Sequence, residues 1–183
     1  CVHAIHETGE GHVHCDLKPS HLLRFAGRQW RLVALGSALR LGHETLPEYT
    51  CDYLAPEVAA AHRDGTPLVV TPSVDAWSLG LVLFELFVGR PLLDAPAVAR
   101  LSRELGGREG GDGGADAAAT SWPEDVPHLL ARPGGADAAV RELLRNDGGA
   151  LGLAELDLLR RLLVVDPAGR EPLARLLKRT FFR

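Results

Sequence analysis

The segment from Trp77 to Val88 constrains the fold more than any other, because it is apolar on nearly every side of a helix. Thr71-Pro72-Ser73-Val74-Asp75 precedes it with capping residues and an early proline, and Gly89 is suited to end it. A helix that is apolar all round is typically buried in a core. We therefore expect the 183-residue chain to form one domain packed around this helix.

Strand-like segments lie before this helix, and helical segments lie after it. The apolar runs from His21 to Phe25 and from Trp30 to Val33 flank Ala26-Gly27-Arg28-Gln29, which has the length and chemistry of a hairpin turn. Periodic apolar positions predict three later helices, over residues 136–145, 153–165 and 172–181. These patterns predict an α+β protein that is mainly α-helical and contains a short β-hairpin.

Residues 106–119 form a segment rich in Gly, Asp and Ala that has no periodic apolar face. Its glycine spacing matches neither the dinucleotide-binding pattern nor the P-loop, and no strand-like run precedes it. We expect a flexible insertion here, and not a phosphate-binding loop.

The charge and cysteine content argue against several classes of function. The chain has 20 Lys and Arg against 24 Asp and Glu, a formal net charge of -4, so neither nucleic acid nor an anionic membrane is expected as a partner. The 3 cysteines are too few for a disulfide framework and fit a reducing compartment. The apolar stretches are too short to span a bilayer. We expect an intracellular protein, cytoplasmic or nuclear.

Five short motifs occur in an order that resembles the protein kinase family. His14-Cys15-Asp16-Leu17-Lys18-Pro19-Ser20-His21 is similar to the catalytic loop H-R-D-L-K-P-x-N, and Ala34-Leu35-Gly36 stands where that family places D-F-G. Tyr53-Leu54-Ala55-Pro56-Glu57 resembles the segment that ends in A-P-E. Residues 73–80 are similar to D-x-W-S-x-G, and residues 166–170 to D-P-x-x-R. An ordered set of motifs is far more specific than any single one.

The resemblance implies the fold of a serine/threonine-type kinase domain and places this chain in its C-terminal lobe. Residues 1–183 would all belong to that lobe, with the catalytic loop at 14–21 and the activation segment at 34–57. The nucleotide loop and the V-A-I-K lysine of the family are not found, so we expect the chain to be a fragment whose N-terminal lobe lies before Cys1.

The same resemblance implies roles for individual residues. In kinases the counterpart of Asp16 orients or accepts the proton of the substrate hydroxyl, and that of Lys18 neutralises the transferring phosphate. Thr50 resembles the threonine that forms hydrogen bonds with this aspartate and this lysine. The candidate catalytic residues are therefore Asp16, Lys18 and Thr50. Leu23 falls where a side chain forms the floor beneath adenine. The candidate nucleotide-binding residues are Lys18, His21 and Leu23.

Two positions depart from the family at its metal site. The family holds two Mg²⁺ ions through the aspartate of D-F-G and the asparagine that ends the catalytic loop, and these positions here hold Ala34 and His21. Alanine offers no ligand, and an imidazole is a poor ligand for a hard cation. We therefore assign no metal ligand and expect Mg²⁺ binding to be impaired. ATP is a candidate cofactor if an N-terminal lobe is present.

Further positions concern the scaffold. Cys15 replaces the arginine that anchors a phosphorylated activation loop, so phosphorylation of that loop is not expected to act in the ordinary way. Glu57 and Arg170 resemble a buried ion pair, and Asp75 resembles the aspartate that bonds the catalytic-loop backbone. His14 and Leu35 fit the hydrophobic column that joins the loop to the core in that family.

Two competing interpretations of local clusters are weaker. The N-terminal region holds five residues that could bind zinc: His3, His6, His12, His14 and Cys15. Their spacing fits no closed zinc site. The basic residues from Arg170 onward could suggest contact with nucleic acid, but a solvated helix face fits the acidic chain better.

Three functions remain open. The first is a pseudokinase that acts as a scaffold or allosteric partner of another protein. The second is a weakly active ATP-dependent protein serine/threonine kinase that uses Asp16 and Lys18. The third is a nonfunctional kinase fragment. In the first two the partner or substrate is a protein, and the sequence leaves the oligomeric state open.

Overall fold

The computed structural model describes residues 1–105, 125–145 and 151–179. The insertion predicted at 106–119 lies outside the described residues. The described helices are α1 (Val2–Glu7), α2 (Pro56–Asp64), α3 (Pro72–Val88), α4 (Ala95–Glu104), α5 (Asp125–Ala131), α6 (Gly135–Arg145), α7 (Leu153–Leu162) and α8 (Leu173–Leu176). The described strands are β1 (His12–Val13), β2 (Leu22–Arg24), β3 (Trp30–Leu32), β4 (Leu39–Arg40), β5 (Glu44–Thr45) and β6 (Leu68–Val69). The chain is thus mainly helical with a few short strands.

Helix α3 forms the centre of the described core, as the sequence predicts. Trp77 is 1% exposed and Phe84 is 0% exposed, and both belong to one large apolar cluster. The helix ends at Gly89, whose φ of 82° lies in the left-handed region that favours glycine. Helix α7 packs across α3 where Gly80 faces the side chain of Leu163. This contact joins the middle of the chain to its C-terminal part.

Two of the three predicted C-terminal helices are shorter than the sequence suggests. The helix predicted over 153–165 ends at Leu162, because the backbone of Leu163 leaves the helical conformation with a φ of -90° and a ψ of 58°. The helix predicted over 172–181 is confined to Leu173–Leu176 within the described residues, and tighter turns follow it. The helix predicted over 136–145 is confirmed as α6.

The predicted hairpin is confirmed. Strands β2 and β3 pair antiparallel with Leu22 opposite Leu32 and Arg24 opposite Trp30, and Gly27 turns the chain with a φ of 77°. Two further antiparallel pairs, β1 with β4 and β5 with β6, are not predicted by the sequence. Among the described strands every pair is antiparallel.

Residues 34–57, the predicted activation segment, are tethered at several points. Strand β4 pairs with β1 directly before the catalytic loop, and β5 pairs with β6 at the start of α3. The segment then runs into α2, in which Glu57 accepts hydrogen bonds of 2.6 and 2.7 Å from Arg170. The side chain of Arg170 is 1% exposed, so the predicted buried ion pair is confirmed.

Two expectations about apolar residues can be checked directly. His14 is fully buried, whereas Leu35 is 53% exposed, so the predicted place of Leu35 in a hydrophobic column beside His14 is wrong. It lies in a short 3-10 turn that follows Ala34 and carries it away from the packed residues. Of the helices that the structure describes, none combines the length and apolar character needed to cross a bilayer.

Candidate catalytic site

Asp75 of α3 fixes the backbone that leads into the site. Its side chain is fully buried, and its two oxygens accept hydrogen bonds from the backbone N–H groups of His14 at 2.8 Å and Cys15 at 3.0 Å. The Nε2 atom of His6 in α1 lies 2.8 Å from the same carboxylate. A buried carboxylate needs such partners, and here they hold the loop against the core helix. The sequence predicts the loop contact but not the one from His6, which lies 69 residues away.

Asp16, Lys18 and Thr50, which the sequence names as catalytic candidates, meet in one hydrogen-bonded cluster. The Thr50 hydroxyl donates to Asp16 Oδ1 at 2.5 Å, and Lys18 Nζ donates to the Thr50 oxygen at 2.8 Å. Lys18 Nζ also lies 2.9 Å from Asp16 Oδ2. Thr50 is 34 residues from Asp16 in the chain, so the tethered segment brings it back to the loop.

The environment of Asp16 favours its ionised form. Burial by itself would raise the pKa of this carboxyl, but the hydrogen bonds from Thr50 and Lys18 oppose it. The positive charge of Lys18 and the nearby His21 act in the same direction, and together they hold the pKa of Asp16 below its usual value. Asp16 can therefore accept a hydrogen bond or a proton from a hydroxyl brought within reach.

His21 lies beside Asp16 but is directed at its backbone. The Nδ1 atom is 2.8 Å from the carbonyl oxygen of Asp16 and 3.7 Å from its Oδ2 atom. Because a carbonyl oxygen only accepts hydrogen bonds, Nδ1 must carry the proton. The ring therefore supports the loop with this nitrogen, and in its neutral form it offers a nitrogen lone pair where the family has an amide oxygen.

Ala34 occupies the other metal-binding position of the family. Its φ of 59° and ψ of 53° lie in the left-handed region, which is uncommon for a residue with a side chain, and its methyl group is exposed. Ala34 and His21 thus do not supply the oxygen ligands that Mg²⁺ requires. Across residues 1–105, 125–145 and 151–179, no group of three or more His, Cys, Asp or Glu side chains could hold a metal ion.

Cys15 lies buried under the site, in the place of the family's arginine. It has a φ of 67°, and its thiol contacts the carbonyl oxygen of Val13. Burial, followed by the negative charge of Asp75, raises the pKa of this thiol to about 12. The thiol therefore stays protonated at neutral pH and is not a nucleophile.

Leu23, the candidate floor beneath adenine, lies on β2, the strand that directly follows His21. Its side chain is 42% exposed, so it remains free to contact a ligand above the hairpin. The role of Leu23 beneath adenine stays a prediction.

A second set of contacts holds the segment after Thr50. The Tyr53 hydroxyl donates to Glu85 Oε2 at 2.6 Å, and the Ser78 hydroxyl donates to the carbonyl oxygen of Tyr53 at 2.7 Å. Burial and the bond to Glu85 raise the pKa of Tyr53, so its hydroxyl keeps its proton. Nothing in the spacing of these residues indicates the contacts, because each one joins α3 to a distant loop.

A helix-anchored loop whose Asp and Lys are joined by a distant Thr is the arrangement typical of the catalytic loop of protein kinases. A family model described as protein kinase domain matches residues 1–182. The chain therefore belongs to the protein kinase family.

Curated relatives agree with this assignment. Serine/threonine-protein kinase MRCK gamma of Homo sapiens is 29% identical over 164 residues, which cover 87% of this chain and 10% of the relative. The MRCK gamma of Mus musculus is 28% identical over 165 residues, which cover 87% of this chain and 10% of the relative. Citron Rho-interacting kinase of Mus musculus is 33% identical over 93 residues, which cover 49% of this chain and 4% of the relative. The chain thus matches a tenth or less of the length of these relatives.

Proposed function

We propose that this chain is the C-terminal lobe of a kinase domain that no longer transfers phosphate at a kinase-like rate and acts by binding another protein, as a scaffold or an allosteric partner. The observation that carries the proposal is a contrast within one site. Asp16, Lys18 and Thr50 keep their mutual hydrogen bonds, whereas Ala34 and His21 offer no oxygen to a hard cation.

The chemistry of phosphate transfer explains why this contrast matters. Catalysis by kinases consists mainly of positioning and of neutralising the charge that develops on the phosphate, and the metal ions carry much of that charge. A site that retains its base and lysine but loses both metal ligands keeps only a part of this stabilisation. We expect Mg²⁺ binding to be impaired for this reason.

The activation segment supports a binding role. It is held by the β4 and β5 pairings, by Tyr53 with Glu85 and by Glu57 with Arg170. These contacts use unmodified side chains, so the segment can present a defined surface to a protein without phosphorylation.

A weakly active protein serine/threonine kinase is the second candidate. The observation that favours it is the intact cluster of Asp16, Lys18 and Thr50, which would have a use in orienting a substrate hydroxyl. Such an enzyme would need ATP and a metal held by phosphates and water alone.

Restoring the metal ligands separates the two candidates. Phosphate transfer to a serine/threonine substrate is measured at saturating Mg²⁺ for the native full-length protein, for Ala34→Asp, for His21→Asn and for the double variant. We expect the double variant to gain activity over the native protein and each single variant to gain less, because each substitution returns one ligand.

The matched control makes the same chemical changes away from the site, at the exposed residues Ala26 and His43. The variant Ala26→Asp with His43→Asn should leave phosphate transfer at the native level. A native protein that is already as fast as the Ala34→Asp, His21→Asn variant would refute the proposal.

A further inference from the structure

Positive charge is concentrated near the C-terminal end of the described chain. Residues 160–179 contain six Arg or Lys and two Asp or Glu, which gives this stretch a formal charge of +4. The whole chain has a net charge of -4, so the remainder of the chain is acidic. A local excess of one sign attracts groups of the opposite sign even when the molecule as a whole does not.

Three of these basic residues line one cleft between α7 and α8. Arg161 lies in the last turn of α7, Arg175 lies on α8, and Arg179 follows α8. Residues 168–172 complete the wall of the cleft, which has a volume of about 450 Å³. A cleft of this size can admit several groups of a ligand.

Glu171 shows how two of these arginines hold a carboxylate. Its side chain is only 10% exposed, and its oxygens accept hydrogen bonds from Arg179 Nε at 3.0 Å and Arg161 Nη1 at 3.2 Å. Arg161 also donates to both oxygens of Asp157, at 2.8 and 2.9 Å. Arg161 and Arg179 are therefore already paired with acids of this chain.

Arg175 differs from these two arginines. Its side chain is exposed, and within the part of the chain that the structure describes it forms no ion pair and no side-chain hydrogen bond. The remaining arginine of the cleft, Arg170, is 1% exposed and donates to Glu57 and to backbone carbonyl oxygens. The guanidinium of Arg175 is thus available to a ligand, and its planar fork of donors matches a carboxylate.

Glu171 also restricts the kind of anion that the cleft can take. A phosphate group with nearly two charges is repelled by this carboxylate more strongly than a singly charged group. The available positive charge is divided between Arg175 and the exposed Lys178, three residues further along the chain. Single charges spaced along an extended peptide fit this arrangement better than one compact dianion.

We propose that the cleft between α7 and α8 binds an acidic segment of a partner protein, with Arg175 donating to a carboxylate of that segment. The proposal rests on the proposed function, because it names the surface and the kind of partner through which the chain acts as a scaffold. It concerns binding alone and uses no residue of the candidate catalytic site.

Binding of labelled peptides to the full-length protein tests the proposal. One peptide alternates Glu with Ser, a second carries Gln at every Glu position, and a third is the Gln peptide with one phosphoserine. A single-stranded RNA with the same total charge as the Glu peptide reports attraction by charge alone. Fluorescence anisotropy measures each dissociation constant, and we expect the Glu peptide to bind at least about tenfold more tightly than the other three ligands.

Variants identify the residue involved. Arg175→Ala should weaken the Glu peptide by about five- to tenfold, because one charge-assisted pair is lost. Arg175→Lys keeps the charge but not the fork, so it should weaken the peptide less. The matched control is Arg141→Ala, which changes an exposed arginine of α6 outside the cleft and should leave the affinity unchanged. Because Arg175 is exposed, its variants should keep the native unfolding midpoint.

The outcomes separate this proposal from the proposed function. A Glu peptide that does not bind, or that binds Arg175→Ala as tightly as the native protein, would overturn the inference. Equal or tighter binding of the RNA or of the phosphoserine peptide would overturn it as well. In each of these cases a native protein without kinase-like phosphate transfer leaves the proposed function standing. If phosphate is transferred at a kinase-like rate and Arg175→Ala still weakens the Glu peptide, the inference stands and the proposed function fails.

Discussion

Arg170 links three parts of the chain through one buried side chain. Its two terminal nitrogens donate to the carboxylate of Glu57, one of them also donates to the carbonyl oxygen of Ser73, and its Nε atom donates to the carbonyl oxygen of Val164 at 2.8 Å. The guanidinium lies 5.0 Å from the centre of the Trp77 ring. A buried charge is tolerated only when its donors are paired in this way.

The first stability prediction follows from these contacts. Arg170→Ala should lower the free energy of unfolding by about 3 to 5 kcal/mol, because Glu57 loses its partner in a mostly buried site. The matched control is Arg40, whose side chain is 60% exposed and pairs with the 66% exposed side chain of Glu10. Arg40→Ala should lower the free energy of unfolding by about 0 to 1 kcal/mol. Urea titration of the native protein and both variants measures the two losses. Equal losses would mean that the Glu57–Arg170 pair does not stabilise the fold.

Individual residues were predictable where a motif fixes both partners. The contact of Glu57 with Arg170 and the contact of Asp75 with the catalytic-loop backbone follow from motif positions. The direction of the His21 ring does not, because the sequence cannot tell whether a side chain that replaces an amide turns to the backbone or to solvent. The contact of His6 with Asp75 is also invisible, since only folding brings α1 onto α3.

At the scale of elements, the crossing of α3 and α7 organises the described core. Gly80 lies on the face of α3 that meets α7, and a Cβ atom added there would come within 2.7 Å of Leu163 Cδ2 and 2.9 Å of Leu163 Cγ. Leu163 is 1% exposed, so it has little space into which to move. The close approach of the two helices therefore depends on the missing side chain of Gly80.

Gly80→Ala tests this packing. Alanine is the better helix former by about 1 kcal/mol, but the clash with Leu163 should outweigh it, and we expect a net loss of about 1 to 3 kcal/mol in the free energy of unfolding. Leu163→Ala should remove the two shortest contacts and leave the one to Leu162 Cβ at 3.1 Å, so Gly80→Ala should cost less in the Leu163→Ala background than in the native protein. A Gly80→Ala variant as stable as the native protein in denaturant titration would disprove the close contact.

The sequence predicts long, strongly patterned elements better than short ones. Helix α3 is evident from its apolar run, and the β2–β3 hairpin from its turn, whereas the two-residue strands are too short to show a period. Helix α2 has signals that could have located it, a proline at its start and Gly65 after its end, but Pro56 belongs to the A-P-E motif and was assigned to the activation segment. Helix α4 is similarly marked by Asp94, whose side chain caps it.

At the scale of the molecule, the contacts that hold the fold are in place, whereas the two positions at which the family binds Mg²⁺ hold Ala34 and His21. The ion pair of Glu57 with Arg170, the buried Asp75 and the core around α3 all persist, and so does the cluster of Asp16 with Thr50.

The most direct test compares the native full-length protein with Asp16→Asn in phosphate transfer at saturating Mg²⁺ and ATP. Asn is nearly isosteric with Asp, and it removes the carboxylate on which transfer by a kinase depends. We expect both proteins to transfer phosphate at the same background rate, far below that of a kinase. A native rate typical of kinases that Asp16→Asn abolishes would contradict it and establish the chain as part of an active enzyme.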